Sequence, residues 1–248
     1  MVVVPCFDEE KRLDRARFLA LAKEAPFDIL FVDDGSRDQT KQVLEDLADQ
    51  NPEKIRVLAL EKNGGKGEAV RQGMLQSLAR GTSIVGYADA DLSTPPDELI
   101  RLFHETERSH ASVVLGARVL LIGRRIERKR MRHALGRVFA TIAEFILETP
   151  FYDTQCGAKF FRNGESLRVA LANPFSSRWA FDVELLGRLL VGNAETPGLP
   201  LSEFLEVPLR EWVDIGGSKL RFGGMARSLI DLAIIEADLR RRRADQKK

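Results

Sequence analysis

The first 117 residues switch regularly between two periodicities, and that switching restricts the fold more than any other feature. The apolar runs VVVP (2–5), FDILFVDD (27–34), IRVLAL (55–60), SIVGYAD (83–89) and ASVVLGA (111–117) each suit one strand. Amphipathic stretches over 10–24, 38–50, 66–79 and 96–108 lie between them with helical spacing. Strands that are apolar on both faces and separated by helices predict right-handed crossovers. The fold class is therefore α/β, a Rossmann-like, mainly parallel sheet flanked by helices. Such sheets bind ligands beyond the carboxyl ends of their strands, and Asp33, Asp34, Asp89 and Asp91 all stand at such ends.

From residue 124 the pattern changes. A basic helix leads into VFATIAEFILE (138–148), followed by a strand AKFFR (158–162), a helix around 180–191, a strand EFLEVPLREW (203–212) and a last helix over 225–243. With no repeat or linker in sight, the second half extends the first domain. Two cysteines, Cys6 and Cys156, give no disulfide framework and no four-thiolate metal site, which suits a reducing cytoplasm. No apolar run reaches 18 residues and no secretory signal is visible, so no span is expected. His104, His110 and His133 are scattered and form no ligand set.

The net charge of +1 conceals an uneven distribution. Residues 124–137 hold seven Arg or Lys and one Glu, the tail 240–248 six and one Asp, and the remainder carries −10. Anionic headgroups are a candidate partner for the first segment; the tail alone reads more readily as disordered and solvated. Nucleic acid is set aside, since neither basic segment is interleaved with aromatics.

The residues at the strand ends carry the chemistry. In DDGSRDQT (33–40) Gly35 permits a tight turn and the carboxylates can accept hydrogen bonds from a base or a ribose. NGGKGEAVRQG (63–73) is Gly-rich but fails the phosphate-loop pattern, because Glu68 follows Gly67, and no dinucleotide fingerprint follows the first strand. In VGYADADLSTPPDEL (85–99), a strand continued through Asp91 would project Asp89 and Asp91 to one face. Two such carboxylates either hold a cation or belong to an Asp-rich turn ahead of a helix.

The ordered set VVVPCFDEE, DDGSRDQT, NGGKGEAVRQGM and DADLS resembles the nucleotide-sugar half of the inverting glycosyltransferase family 2, which has a GT-A fold. VVLGAR (113–118), DTQCGAKFF (153–161), RWAFDVELL (178–186) and GGSK (216–219) are similar to the polyprenyl-phosphate and dolichyl-phosphate branch, its glucosyltransferases above all. The resemblance covers residues 1–222, with 1–117 as the donor half, 118–222 as the acceptor-side extension and 223–248 as a terminal helix and basic tail. It implies a hexosyl transfer, glucose from UDP-glucose in the first instance, to a polyprenyl phosphate. GDP-mannose and a soluble hydroxyl acceptor are the alternatives on the same fold, and a non-catalytic nucleotide-binding scaffold at a membrane is the alternative of another class.

The resemblance also distributes roles. Pro5 lies in the first donor motif. Asp8 or Glu9, with Asp33, would hold the uracil and ribose, and Asp34, Lys66 and Gln155 would complete the donor side. Asp89 and Asp91 would bind Mg²⁺ or Mn²⁺ against the diphosphate. A lipid phosphate is largely ionised at neutral pH, so the acceptor needs cations more than a base; Arg118 and Arg132 are the candidates. Lys159 and Trp179 would line the acceptor side near the sugar. Asp182 would orient a sugar hydroxyl or, for a neutral acceptor, act as the base. Cys156 reads as a packing residue, since inverting transfer forms no enzyme-bound sugar. Family relatives that carry membrane helices reach their lipid through them; this chain is expected to work at the cytoplasmic face, touching an anionic membrane peripherally through 124–137 and the helix after it.

Overall fold

The computed structural model describes residues 1–127, 130–215 and 223–246. The first half runs β1 (Val2–Cys6), α1 (Arg15–Glu24), β2 (Ile29–Asp33), α2 (Thr40–Gln50), β3 (Ile55–Ala59), α3 (Lys66–Ala79), β4 (Ile84–Ala88), α4 (Pro96–Arg108) and β5 (Val113–Ala117). The second half adds β6 (Arg125–Glu127), α5 (Arg130–Leu147), β7 (Ala158–Arg162), α6 (Glu165–Leu171), α7 (Phe181–Val191), β8 (Phe204–Pro208), β9 (Glu211–Val213) and α8 (Gly223–Asp245). Seven strands form one sheet in the order β3-β2-β1-β4-β7-β5-β8, while β6 pairs with β9 apart from it. β7 runs antiparallel to both β4 and β5, and the other pairings are parallel.

Alternation along the strands divides the core between two faces. Val2 and Val4 of β1 pack with Phe18, Leu44 and Leu102 from α1, α2 and α4. Val3 turns the other way, to Met74 of α3, Ile146 of α5, Phe181 of α7 and Leu239 of α8. The C-terminal helix thus closes the core of the same body through Leu232, Ile235 and Leu239.

Four local expectations give way. The first helix begins at Arg15, not residue 10, because Asp14 caps it by accepting from the Arg17 amide at 3.0 Å. The basic stretch from 124 opens as the short strand β6, since Arg125–Glu127 finds a ladder partner in β9. The strand over 203–212 breaks after Pro208, where Leu209 donates its amide to Ala117, and resumes as β9. The tail is helical to Asp245, with Arg240 on Glu236 and Arg242 on Asp238 one turn apart, not disordered from 240. GGSK (216–219) lies outside the described residues.

The order 2-1-4 in the sheet reverses direction between β1 and β4, which makes that boundary the switch point. Val2 donates its amide to the Asp28 carbonyl on the β2 side, and the Gly86 amide of β4 donates to the Met1 carbonyl, so Met1, Val3 and Pro5 face β4. Pro5 has no amide hydrogen to offer there, and the β1–β4 pairing covers only Val2 and Val3. The two strands part beyond it, and the crevice opens between their carboxyl ends.

One buried charge couples the halves. Lys159 of β7 stands opposite Tyr87 of β4 and Leu115 of β5, fully buried. Its ammonium donates to Asp182 Oδ1 of α7 at 2.7 Å and to the Cys156 carbonyl at 2.6 Å. The Tyr87 hydroxyl donates to the same Asp182 oxygen. Removing one partner of such a pair strands a buried charge, so Lys159→Met should cost about 3–5 kcal/mol of stability. Denaturant unfolding measures it, and a midpoint equal to that of the unaltered protein would refute the coupling.

Candidate active site

Six chain segments meet at the crevice. The β1 end contributes Asp8 and Glu9, and the β2 end Asp33 and Asp34. The Gly-rich loop leads into Lys66 at the start of α3, and the β4 end carries Asp89 and Asp91. The segments before β7 and α7 close the remaining side.

Asp89 and Asp91 do not lie in a strand. β4 ends at Ala88, and the two aspartates flank a turn closed by the Leu92 amide donating to the Asp89 carbonyl at 3.1 Å. Leu92 adopts φ 50°, a left-handed conformation that branched and bulky side chains seldom take. Both carboxylates act on Lys66 from this turn, and strand alternation does not place them. Asp91 Oδ1 accepts from the Ser93 amide at 3.0 Å and its hydroxyl at 2.6 Å, and Oδ2 faces Arg12 at 3.4 Å. Asp89 Oδ1 meets Lys66 Nζ at 2.5 Å. Only glycine fits opposite: a Cβ on Gly157 would fall 1.9 Å from Asp89 Oδ2.

Lys66 is the positive centre of this cluster. Burial lowers its pKa, but Asp89, then Asp182 and Asp91, act against that and the net shift is upward. The ammonium therefore stays charged across the neutral and mildly alkaline range. It also lies 5.9 Å from the centre of the Phe181 ring.

The acidic residues at the ends of β1 and β2 are each engaged by neighbouring groups. Asp8, at φ 49°, accepts from the Arg37 amide at 2.8 Å and donates its own amide to Ser36 Oγ at 3.0 Å. Glu9 is buried, with Arg12 at 3.4 Å and its amide on Thr40 Oγ1 at 2.7 Å. Asp33, also buried, accepts from the Ser36 amide at 3.3 Å. Asp34 departs from its expected place on the donor. Both its oxygens are spent on the Gly-rich loop, Oδ1 on the Gly64 amide at 2.7 Å and Oδ2 on Gly65 N and Asn63 Nδ2 at 2.9 Å each. Burial raises its pKa above the ordinary carboxylate value, against the pull of those amides and of Arg178. Asp34 shapes the loop that presents Lys66.

The acceptor side is arranged around ion pairs. Arg118 Nε and Nη2 reach Asp153 at 2.6 and 2.8 Å, and its guanidinium lies over the Trp212 ring at 5.2 Å. Asp153 in turn accepts from the Gln155 amide at 3.3 Å. Arg118, Phe139, Ala140, Tyr152, Asp153 and Gln155 line a small cleft beside α5. Arg132 belongs to α5 by its backbone, and its side chain lies outside the described residues. Lys159, expected at the acceptor, is instead sealed beneath the site, where it fixes Asp182. Trp179 stands on the rim, 41% exposed, in a segment whose Ser177 hydroxyl accepts from the amides of Trp179 and Ala180. Burial pushes the Cys156 thiol up to about 11, consistent with a packing role.

Three contributors escaped the sequence reading. Arg12 bridges Asp91 and Glu9 but looked like one more charge on a helix face. Tyr87 sat in an apolar run, and nothing local reveals a partner 95 positions away. Arg178 accepts from the Gly67 amide through its carbonyl at 3.3 Å and packs its side chain on Gly65, at φ 93°. The signal for it was present in RWAFDVELL but passed to its neighbour Trp179.

Comparison with known proteins agrees with this geometry. Residues 1–168 match the model for glycosyl transferase family 2. A dolichyl-phosphate beta-glucosyltransferase of Trichomonas vaginalis is 35% identical over 247 residues, covering 94% of this chain and 69% of the relative. The Homo sapiens dolichyl-phosphate beta-glucosyltransferase is 35% identical over 243 residues, covering 88% and 68%. Among solved structures, glucosyl-3-phosphoglycerate synthase from Mycobacterium tuberculosis in complex with Mn²⁺, UDP and glucosyl-3-phosphoglycerate superposes with a TM-score of 0.67 at 18% identity. It covers 95% of this chain and 78% of that one, and at this identity the likeness speaks for the GT-A fold alone. With two thirds of its length matched by the family and relatives at this identity along nearly all of it, the chain belongs to glycosyl transferase family 2, among the dolichyl-phosphate beta-glucosyltransferases.

Proposed function

We propose that this glycosyltransferase moves glucose from UDP-glucose to a polyprenyl phosphate of the dolichyl type, with Mg²⁺ or Mn²⁺ at Asp89 and Asp91. The observation that carries the reading is 35% identity to a dolichyl-phosphate beta-glucosyltransferase over 94% of the chain. The crevice supports it with matching chemistry. Asp89 and Asp91 offer only oxygen donors and are partly open to solvent. That donor set fits a hard divalent cation held by one or two carboxylates and completed by substrate phosphates. When bound, the metal would offset charge on the departing UDP.

The chain's own residues do the rest. Lys66 brings a permanent positive charge to the diphosphate. Asp8, Glu9 and Asp33 face the nucleoside, while Asp34 keeps the Gly-rich loop in shape. Arg118 and Arg132 serve the acceptor phosphate. One of its oxygens attacks C1 of glucose, the C1–O bond to UDP breaks with its electron pair leaving on UDP, and the anomeric centre inverts from α to β. A phosphate oxygen needs no proton removed once ionised, so Asp182, fixed by Lys159 and Tyr87, orients the sugar and is not required as a base. Among the described residues no helix is long and apolar enough to cross a membrane. In this reading the lipid is met at the bilayer surface, where each basic residue near anionic headgroups contributes about 1 kcal/mol.

Label transfer from UDP-glucose, and separately from GDP-mannose, into solvent-extractable polyprenyl phosphate tests donor and acceptor together. Glucose should enter the lipid, and chelation should stop it; label entering from GDP-mannose alone would reverse the donor assignment. Asp91→Asn and Asp89→Asn should each lower kcat by about a hundredfold or more, the equivalent of several kcal/mol of lost charge stabilisation. Retention of full activity by both would remove the metal from the site. The pH profile should be flat on the alkaline side up to about 9, where Lys66 is still charged, its pKa being raised. It should fall as pH drops through about 6, where the phosphate monoester dianion takes up a proton and becomes the monoanion. A fall on the alkaline side near pH 8 instead would point to a different titrating group.

A further inference from the structure

The loop that follows β5 exposes Leu120, Leu121 and Ile122 in succession: the first two are 54% and 49% accessible, and Ile122 is fully so. The loop is an ordered turn. Val119 donates its amide to the Ala117 carbonyl at 3.0 Å, and Arg124 donates to the Leu121 carbonyl at 3.1 Å. Gly123 turns at φ 82°, and a Cβ placed there would meet nothing within 4 Å. Three adjacent aliphatic side chains thus face outward, Leu120 and Leu121 about half exposed and Ile122 fully. Nothing in the donor or acceptor chemistry above uses them.

Resting on the lipid-phosphate reading, we infer that residues 120–122 insert into a bilayer and seat the enzyme over its acceptor. Three observations favour a lipid surface over a protein partner or a second copy. The tip is flanked by basic residues. Arg124 and Arg125 are exposed beside it, and the segment 124–137 carries a net +6 in sequence, which suits anionic headgroups surrounding an inserted apolar tip. The tip is continuous with the acceptor site, since Arg118 lies two residues before Leu120 in the cleft beside α5. Three side chains also fall far short of the roughly 800 Å² per partner that a stable protein interface buries. The helix after the loop exposes Val138 and Phe145, seven residues apart and so on one helical face, which adds apolar surface to the same region of the chain.

The test uses the full chain and phosphatidylcholine vesicles with and without phosphatidylglycerol. The unaltered protein should bind the anionic vesicles, and the triple variant L120S/L121S/I122S should bind them about a hundredfold more weakly or worse, the loss expected from the exposed area of three aliphatic side chains. Cys6 and Cys156 are fully buried, so Ile122→Cys can carry a polarity-sensitive fluorophore at one site. Its emission should shift to the blue on vesicle addition. The triple variant should show a raised KM for long-chain polyprenyl phosphate in vesicles and unchanged transfer to a short, water-soluble isoprenoid phosphate. Equal vesicle binding by the triple variant, an unmoved label, or equal loss on both acceptors would each overturn the inference. So would a change in sedimentation coefficient without a change in vesicle binding, which would make the loop a contact between copies. If the loop binds vesicles as described but no glucose reaches either acceptor, the docking surface stands and the acceptor assignment falls.

Discussion

The site rests on a lysine that never sees water. Burying the Lys159 ammonium in the middle of the sheet costs several kcal/mol unless an opposite charge and a hydrogen-bond acceptor compensate it. The Asp182 carboxylate and the Cys156 carbonyl supply them, and Tyr87 adds a second donor to Asp182. The demand runs both ways, because Asp182 is also too deep to stand alone. Strands β4 and β7 and the start of α7 are thereby held in one arrangement, and the segment before α7 that carries Arg178 and Trp179 is delivered to the Gly-rich loop.

The same logic repeats outward from that pair. Asp89 faces Lys66, Asp91 faces Arg12, and Asp153 faces Arg118. Carboxylates gathered at the crevice would repel one another and any incoming diphosphate, and these three are each met by a cation on another segment. The pairing lowers the negative field without filling the crevice. It also keeps each carboxylate at a defined angle, which a cluster left to mutual repulsion would not do.

What the sequence made legible follows the range of the interactions involved. Strand and helix alternation is local, so β1 to β5 and β7 were readable almost residue for residue, as was the gathering of acidic residues at the strand ends. Asp34 was misplaced because its partners, the amides of Gly64 and Gly65, lie thirty positions on and leave no mark in DDGS. Lys159 was misplaced because a lysine in AKFF carries no sign of whether it points to solvent or to Asp182. The split of 203–212 depended on β5 and β6 offering two different edges. Asp89 and Asp91 were expected to share a strand face, but β4 ends at Ala88 and they stand in the turn beyond it, a backbone choice that side-chain periodicity cannot announce.

The parting of β1 and β4 at Pro5 has a consequence for how such an enzyme can change. The mouth of the crevice is set by an atom missing from the main chain, not by the bulk or charge of any residue around it. Side chains lining the opening can then be exchanged for others that suit a different sugar or base without the strands zipping shut behind them. Selectivity is free to drift while the aperture stays where it is.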